Sequence, residues 1–248
     1  MTTILKLGGS VITEKDRPET VDHETLEMLG ATIAEHDVAD LCIVHGGGSF
    51  GHHHAAAHGV SQTAGTTDPA AVRDITNAMK RLNTAVVDVL VDHGVPGVPI
   101  HPFSGARRTE SGELSACTEP LEDMLAAGFV PVCHGDVIAQ AGVGATILSG
   151  DEIVCSYASA LDATRVGLCS AVSGVLDGSE VIPLIESFDD VAHVLGESEA
   201  TDVTGGMAGK VASLLELETD AFVFGVDGVD GFLSGDSPGT KIAHDPNR

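Results

Sequence analysis

The chain has 248 residues, enough for one large domain or two small ones, and 43% of them are hydrophobic, which excludes a disordered chain despite a net charge of −25. With 37 acidic against 12 basic residues, its surface should repel nucleic acid and anionic membranes, and this lysine-poor, acidic balance is that of a protein adapted to high salt. No apolar run reaches the length of a membrane span, Lys6 interrupts the one stretch that could serve as a signal, and five scattered cysteines (Cys42, Cys117, Cys133, Cys155, Cys169) read as reduced core residues, so a cytoplasmic protein is expected.

Thr3 to Leu7 reads as a short strand that runs into the turn Gly8-Gly9-Ser10. Lys6 lies inside that strand, where a buried ammonium is costly unless paired. Beside a Gly-Gly turn it is read as a phosphate ligand, the alternative being an edge-strand charge that blocks aggregation. Lys15 follows in a polar loop, where a solvated and a ligand role are both open. From Asp22 to about His36, Leu26, Leu29 and Ile33 recur at helical spacing and predict a crossover helix.

The run Leu41 to Val44 predicts a buried strand, followed by Gly46, Gly47, Gly48 and Gly51, whose amides can approach an anion with no Cβ in the way. A helix opening at His52 and running to His58 would put its positive end there, and a phosphate is the natural guest. Gly46, Gly48 and Gly51 also satisfy Gly-x-Gly-x-x-Gly, but a dinucleotide site needs an acid closing the next strand. Asp68, the only acid near that distance, precedes Pro69 and reads as a helix N-cap. A Walker loop needs Lys-Ser or Lys-Thr after the last glycine, and His52 stands there instead. The histidines His45, His52, His53, His54 and His58 could ligate a metal, although no accompanying metal motif is present.

Asp68 to His93 predicts the longest helix, with Val72, Ile75, Met79, Leu82, Val86 and Val89 on one face and Gly94 then Pro96 as its stop. That face is core, and beside the glycine loop it could wall an apolar substrate. Val95 to Ile100 and Phe129 to His134 predict further strands, the second after a helix from Pro120 to Ala127. Turns at Ser111-Gly112 and around Gly142 and Gly144 predict hairpins or flaps. Ser149-Gly150-Asp151 opens a helix carrying Ile153, Val154, Tyr157 and Leu161, and Val166 to Cys169 is another strand. Thr204-Gly205-Gly206-Met207 precedes a helix that carries Lys210 and runs to about Leu217, then comes a strand from Ala221 to Phe224, and Gly225 to Arg248 is loop-rich. The alternation predicts an α/β fold, a three-layer αβα sandwich with a mainly parallel central sheet. Ligands then bind at the carboxyl ends of its strands, where Gly8, Gly46 and Gly135 fall.

The set Lys6-Leu7-Gly8-Gly9-Ser10, His45-Gly46-Gly47-Gly48-Ser49-Phe50-Gly51-His52, His134-Gly135-Asp136, Ser149-Gly150-Asp151 and Thr204-Gly205-Gly206-Met207-x-x-Lys210 resembles the amino acid kinase superfamily, over nearly the whole chain. Within it, the histidine at His52 is similar to the isopentenyl phosphate kinase branch and the related fosfomycin kinases. The run Ser170-Ala171-Val172-Ser173-Gly174-Val175 departs from the family pattern by lacking its two acids, and Gly225 to Gly239 matches only loosely.

The resemblance implies transfer of the γ-phosphoryl of ATP, with Mg²⁺, to isopentenyl phosphate. In that reading Lys6 bridges the transferring group, Lys210 holds the donor phosphates, and Lys15 assists on the γ side. Gly8, Gly9, Ser10, Gly205 and Lys210 contact ATP, Gly47, Gly48, Gly51, His52 and Gly135 contact the acceptor, and His52 binds its phosphate. Asp151 orients the two lysines or caps its helix, and no protein metal site is expected. A single domain is expected, with an acceptor half to about residue 165, a nucleotide half from about 166, and a homodimeric assembly. The alternatives are a kinase for another small phosphate, phosphonate or carboxylate, an NAD-dependent oxidoreductase, and a non-catalytic ligand-binding regulator.

Overall fold

The computed structural model describes residues 1–36, 39–195 and 206–244. Strand β1 (Thr3–Leu7), the single turn α1 (Gly9–Ile12), α2 (His23–Ala34) and β2 (Leu41–His45) form the first crossover unit. Asp22 caps α2 by accepting from the Thr25 amide at 3.0 Å. Then come α3 (Gly48–His58) and α4 (Pro69–Asp92); Asp68 caps α4 and Pro69 occupies its first turn, as the sequence predicts.

The middle of the chain supplies β3 (Gly97–Pro99), α5 (Pro102–Gly105), β4 (Ala106–Arg108), β5 (Leu114–Ala116), α6 (Glu119–Ala126), β6 (Val130–His134), β7 (Asp136–Gln140) and β8 (Gly144–Leu148). Both predicted hairpins form, β4–β5 around Gly112 and β7–β8 around Gly142 and Gly144, all three glycines having positive φ. The last third carries α7 (Gly150–Ala160), β9 (Arg165–Cys169), β10 (Leu176–Asp177), β11 (Glu180–Val181), β12 (Leu184–Ile185), α8 (Ala192–Leu195), α9 (Gly206–Leu214), β13 (Ala221–Phe224), α10 (Val229–Leu233) and β14 (Thr240–Ile242). The segment expected to be loop-rich therefore contains a short helix and a strand, β14, that lies between β12 and β13.

The main sheet has eight strands in the order β12-β14-β13-β9-β1-β2-β6-β3, parallel except where β14 meets β13. Successive side chains of a strand face opposite layers, and the core divides accordingly. Ile4 packs with Ile153, Val154 and Tyr157 of α7 and Val211 of α9, whereas Leu5 and Leu7 pack with Leu26 and Ile33 of α2 and Leu82 and Val86 of α4. That is the expected three-layer sandwich. Each such fully buried aliphatic side chain contributes roughly 1.5–3 kcal/mol. A smaller sheet, β5-β4-β7-β8, stands beside it and joins Ala55 and Ile75 in a third apolar cluster through Val137 and Ala145.

Register brings the strand ends level. Leu7 is opposite both His45 and Cys169, His45 is opposite His134, and Cys169 is opposite Phe224, so Gly8, Gly46, Gly135, Ser170 and Gly225 leave the sheet along one edge.

Candidate active site

The two glycine loops touch backbone to backbone. A Cβ on Gly9 would lie 2.2 Å from the Gly48 nitrogen, and Gly48 itself has φ +47°. Thr13 bolts the loops together, its Oγ1 donating to the Gly9 carbonyl at 2.7 Å and accepting from the Ser49 amide at 2.9 Å. Nothing in the sequence singles Thr13 out; a threonine four residues after a Gly-Gly turn carries no signal until the second loop is beside it.

The helix after the glycines starts at Gly48, not at His52 as expected, so Gly48 and Gly51 lie within α3 and His52 is in its second turn. Glycine is tolerated there because this helix must approach other backbone and Met79: a Cβ on Gly51 would lie 2.8 Å from the Met79 sulfur. Among the described residues the amides of Gly9, Ser10, Gly47 and Gly48 meet no acceptor, as helix starts leave them. Gly8, which the resemblance implies as an amide donor beside Gly9, Gly47 and Gly48, differs in this respect, and Gly135 is bonded in the same way. The Gly8 amide is committed to the Cys169 carbonyl at 2.9 Å and that of Gly135 to the His45 carbonyl at 3.0 Å, so these two glycines allow close chain approach instead of offering donors.

Lys6 projects from β1 toward α7, with a side chain only 8% exposed, and its Nζ donates to Asp151 Oδ1 at 2.7 Å. Asp151 is not the N-cap of α7; Ser149 is, in a full capping box with Glu152. The Asp151 carboxylate is thereby free for Lys6. Burial would raise its pKa, but the charges of Lys6 and Lys210, with the Lys6 hydrogen bond, outweigh that and hold it below the ordinary carboxylate range. Lys210, on α9, is thus brought to the same carboxylate by field and not by a hydrogen bond. Gly205 lies outside the described residues.

These groups line one cleft of about 960 Å³. Lys6, Lys15, Lys210, Gly8, Gly9 and Ser10 border it, as do Gly47, Gly48, Gly51, His52, Gly135 and Asp151, so nearly every site residue read from the sequence meets there. Three of the five lysines in the chain do so. Ala55, Ile75, Met79 and Ile147 add an apolar wall next to His52. Lys15 is carried by the polar segment between Thr13 and Val21, which is clipped over the start of α3 by the Glu19 amide to the Ser49 carbonyl at 3.2 Å.

The remaining histidines of the tract have separate roles. His54 Nε2 meets Glu19 Oε1 at 2.5 Å, and Arg81 binds the same carboxylate, so His54 helps hold the segment that carries Lys15. His58 pairs with Asp74 at 3.2 Å, while His53 borders the cleft. Among the described residues no group of three or more His, Cys, Asp or Glu is placed to hold a metal ion.

Beneath the glycine loops lies a buried polar layer that the sequence pattern does not assemble. His45 and His134 stack 5.6 Å apart, and burial first lowers their pKa values, to about 4 and about 3. A neutral His134 that donates from Nδ1 to the Gly135 carbonyl accepts at Nε2 from His101 Nδ1 at 2.9 Å. Asp136, at 2% exposure, is pushed the other way by burial, to about 6, although Thr76 Oγ1 and the Val137 amide donate to its Oδ1 at 2.7 Å each. Its other oxygen has no hydrogen-bond partner among the described residues and lies 3.9 Å from His134 Nδ1.

The run Ser170 to Val175, which lacks the two acids, is held by its own backbone contacts to β13 and the chain at the start of β14. The Ser170 amide donates to the Phe224 carbonyl at 2.7 Å, the Val175 amide donates to Thr240 Oγ1 at 2.8 Å, and a Cβ on Gly239 would strike the Ser173 carbonyl at 2.7 Å.

Orphan amides at helix starts, lysines paired through one carboxylate and a long cleft at the carboxyl edge of a parallel sheet define a class: α/β proteins that hold phosphate groups at this edge. The chain belongs to the amino acid kinase family, whose model matches residues 1–221. It is 55% identical to the isopentenyl phosphate kinase of Haloferax volcanii over 96% of this chain and 97% of that one, and 35% identical to that of Methanothermobacter thermautotrophicus over 86% of each. A crystal structure described as isopentenyl phosphate kinase superposes with a TM-score of 0.85 at 28% identity, covering 98% of this chain and all of that one. No helix among the described residues is long and apolar enough to cross a membrane.

Proposed function

We infer that the protein is an ATP-dependent phosphotransferase that converts isopentenyl phosphate to isopentenyl diphosphate. The observation that carries the acceptor is the apolar wall of Ile75, Met79 and Ile147 within the same cleft as the phosphate loops and His52. A carboxylate or amino-acid acceptor would leave that wall facing a polar substrate.

In this reading an oxygen of the acceptor phosphate attacks the γ-phosphorus of ATP in line, the bond to the β,γ-bridging oxygen breaks, and ADP leaves. The acceptor is already ionised near neutral pH, so no side chain need act as general base. Lys6 bridges the transferring group and gains most as charge spreads over its equatorial oxygens. Gly9, Ser10, Gly47 and Gly48 supply amides, Lys210 and Gly205 hold the donor phosphates, Lys15 assists from its clipped segment, and His52 donates to the acceptor phosphate. Asp151 keeps Lys6 in place and offsets part of the positive charge it shares with Lys210.

Asp151, which borders the cleft, is committed to Lys6, so Mg²⁺ would be carried mainly on the nucleotide's own phosphates, where it would neutralise their charge. The acceptor half would run to about residue 165 and the nucleotide half from about 166, and the homodimer implied by the resemblance is open to light scattering.

Incubation with ATP and a panel of isopentenyl phosphate, other phosphate monoesters, a phosphonate and amino-acid carboxylates, read by phosphorus NMR, tests the reading. Isopentenyl diphosphate should form fastest, and His52→Ala should greatly reduce that transfer while calorimetric ATP affinity holds. A wild-type preference for a carboxylate, or a His52→Ala enzyme with unchanged kcat/KM, would refute it.

A further inference from the structure

Arg108 is one of only 12 basic residues in the chain, and it is buried at 7% exposure on β4, outside the set of residues that line the cleft. An arginine taken out of water is costly unless its fork is used. Here Nη1 donates to the Gly112 carbonyl at 3.4 Å in the β4–β5 turn, while Nη2 donates to the Ile147 carbonyl at 3.1 Å on β8 and to Glu152 Oε1 at 2.5 Å on α7. The other oxygen of Glu152 accepts from the Ser149 amide at 2.9 Å and from Gln62 Nε2 at 2.7 Å. One carboxylate thus gathers the hairpin, the loop after α3 and the first turn of α7. The residue before it is Asp151, the partner of Lys6, and Ile147 is part of the apolar wall.

We propose that Arg108 is a positioning residue for phosphoryl transfer, acting through Glu152 to fix the first turn of α7 and with it the grip of Asp151 on Lys6. The proposal rests on the kinase reading above. The capping-box acid then serves twice, since Glu152 closes the helix start while its pairing with Arg108 sets where that start stands relative to β1. Lysine at 108 keeps the charge but cannot span Gly112, Ile147 and Glu152 together.

Arg108→Lys should lower kcat about tenfold while the KM values for ATP and acceptor stay within about threefold, the pattern of a misplaced group that acts in the transition state. In an Asp151→Asn background the same substitution should change single-turnover rates by less than about twofold, because the residue it acts through is already disabled. Equal effects in both backgrounds, or an unchanged kcat in the first, would overturn the proposal. Hydrogen exchange gives a readout independent of turnover. In Arg108→Lys, and in Glu152→Gln should the first fold poorly, the amides of Glu152 and Ile153 should lose protection while those of β1 and β2 keep theirs. Unchanged protection at 152–153 would also sink it. A wild-type enzyme inactive toward isopentenyl phosphate would remove the functional reading alone, leaving exchange to decide on Arg108.

Discussion

Gly9→Ala is the sharpest test of how the two phosphate loops are built. The added Cβ would stand 2.2 Å from the Gly48 nitrogen, 2.7 Å from its Cα and 3.0 Å from the Gly46 carbonyl carbon, all backbone atoms that no rotamer change can move aside. Ordinary contact needs about 3.4 Å or more, so the loops must part by about 1 Å, a strain of roughly 1–3 kcal/mol for an overpacked site. Thr13 resists that separation, because its hydroxyl ties Gly9 to Ser49. The amides of Gly9, Ser10, Gly47 and Gly48 would then no longer converge on one phosphate group, and misplacement of about 1 Å can cost a hundredfold in rate. The expected result is a folded protein, melting a few degrees lower, with kcat/KM down about two powers of ten in an ADP-release assay. Gly105→Ala is the control, since its Cβ would meet only Cys117 Cβ at an ordinary 3.8 Å. A Gly9→Ala enzyme within threefold of wild type would refute the reasoning.

Lys6→Ala should lower kcat by roughly two to three powers of ten with less effect on the ATP KM, whereas an unchanged kcat in steady-state assays would return Lys6 to a purely structural role beside Asp151. With a net charge of −25, the melting temperature should climb from low to molar KCl, and a flat or falling curve by calorimetry would count against self-repulsion as the limiting term. Asp136 has a folded pKa raised from 3.8 to about 6, so its ionisation weakens the fold: the penalty is absent below the unfolded pKa, grows between the two values and is complete above about 6. Asp136→Asn should therefore gain about 1–1.5 kcal/mol relative to wild type between pH 5 and pH 7.5 in denaturant melts, and a pH-independent difference would show that the carboxyl is not desolvated.

Periodicity and glycine placement make most of the fold legible. Thr3–Leu7 has the predicted bounds, Asp68 caps the longest helix, and both hairpin turns stand where Gly112 and Gly142 put them, because these features are local. The start of α3 falls earlier than the sequence predicts for a physical reason: glycines at 48 and 51 disfavour a helix, yet packing against Gly9 and Met79 requires them inside one. The sequence leaves Asp151 as either a helix cap or a partner of the lysines, and tertiary structure decides it by giving the aspartate to Lys6, 145 residues away. Contacts of that range leave no spacing signal. For the same reason Thr13, the Glu19–His54 pair and Arg108 do not stand out in the sequence, since each matters only through a partner that the sheet brings up. His54 in particular is not idle, and His54→Ala should cost more than a solvent-exposed histidine would.

The distribution of positive charge explains how so acidic a chain handles two polyanions. At molar salt the screening length is about 3 Å, so attraction from lysines scattered over the surface would not reach an incoming phosphate. Charge must instead sit within contact distance, and three of the five lysines border the cleft. Packing lysines together would push protons off them, and Asp151, held ionised by Lys6 and Lys210, offsets that repulsion. The helix starts at Gly9, Gly48 and Gly150 add donors that carry no net charge, need no counterion and are fixed in direction by the fold. Recognition built on fixed amides and a buried lysine is short-ranged, so salt can stabilise the acidic surface without screening the site that the surface encloses.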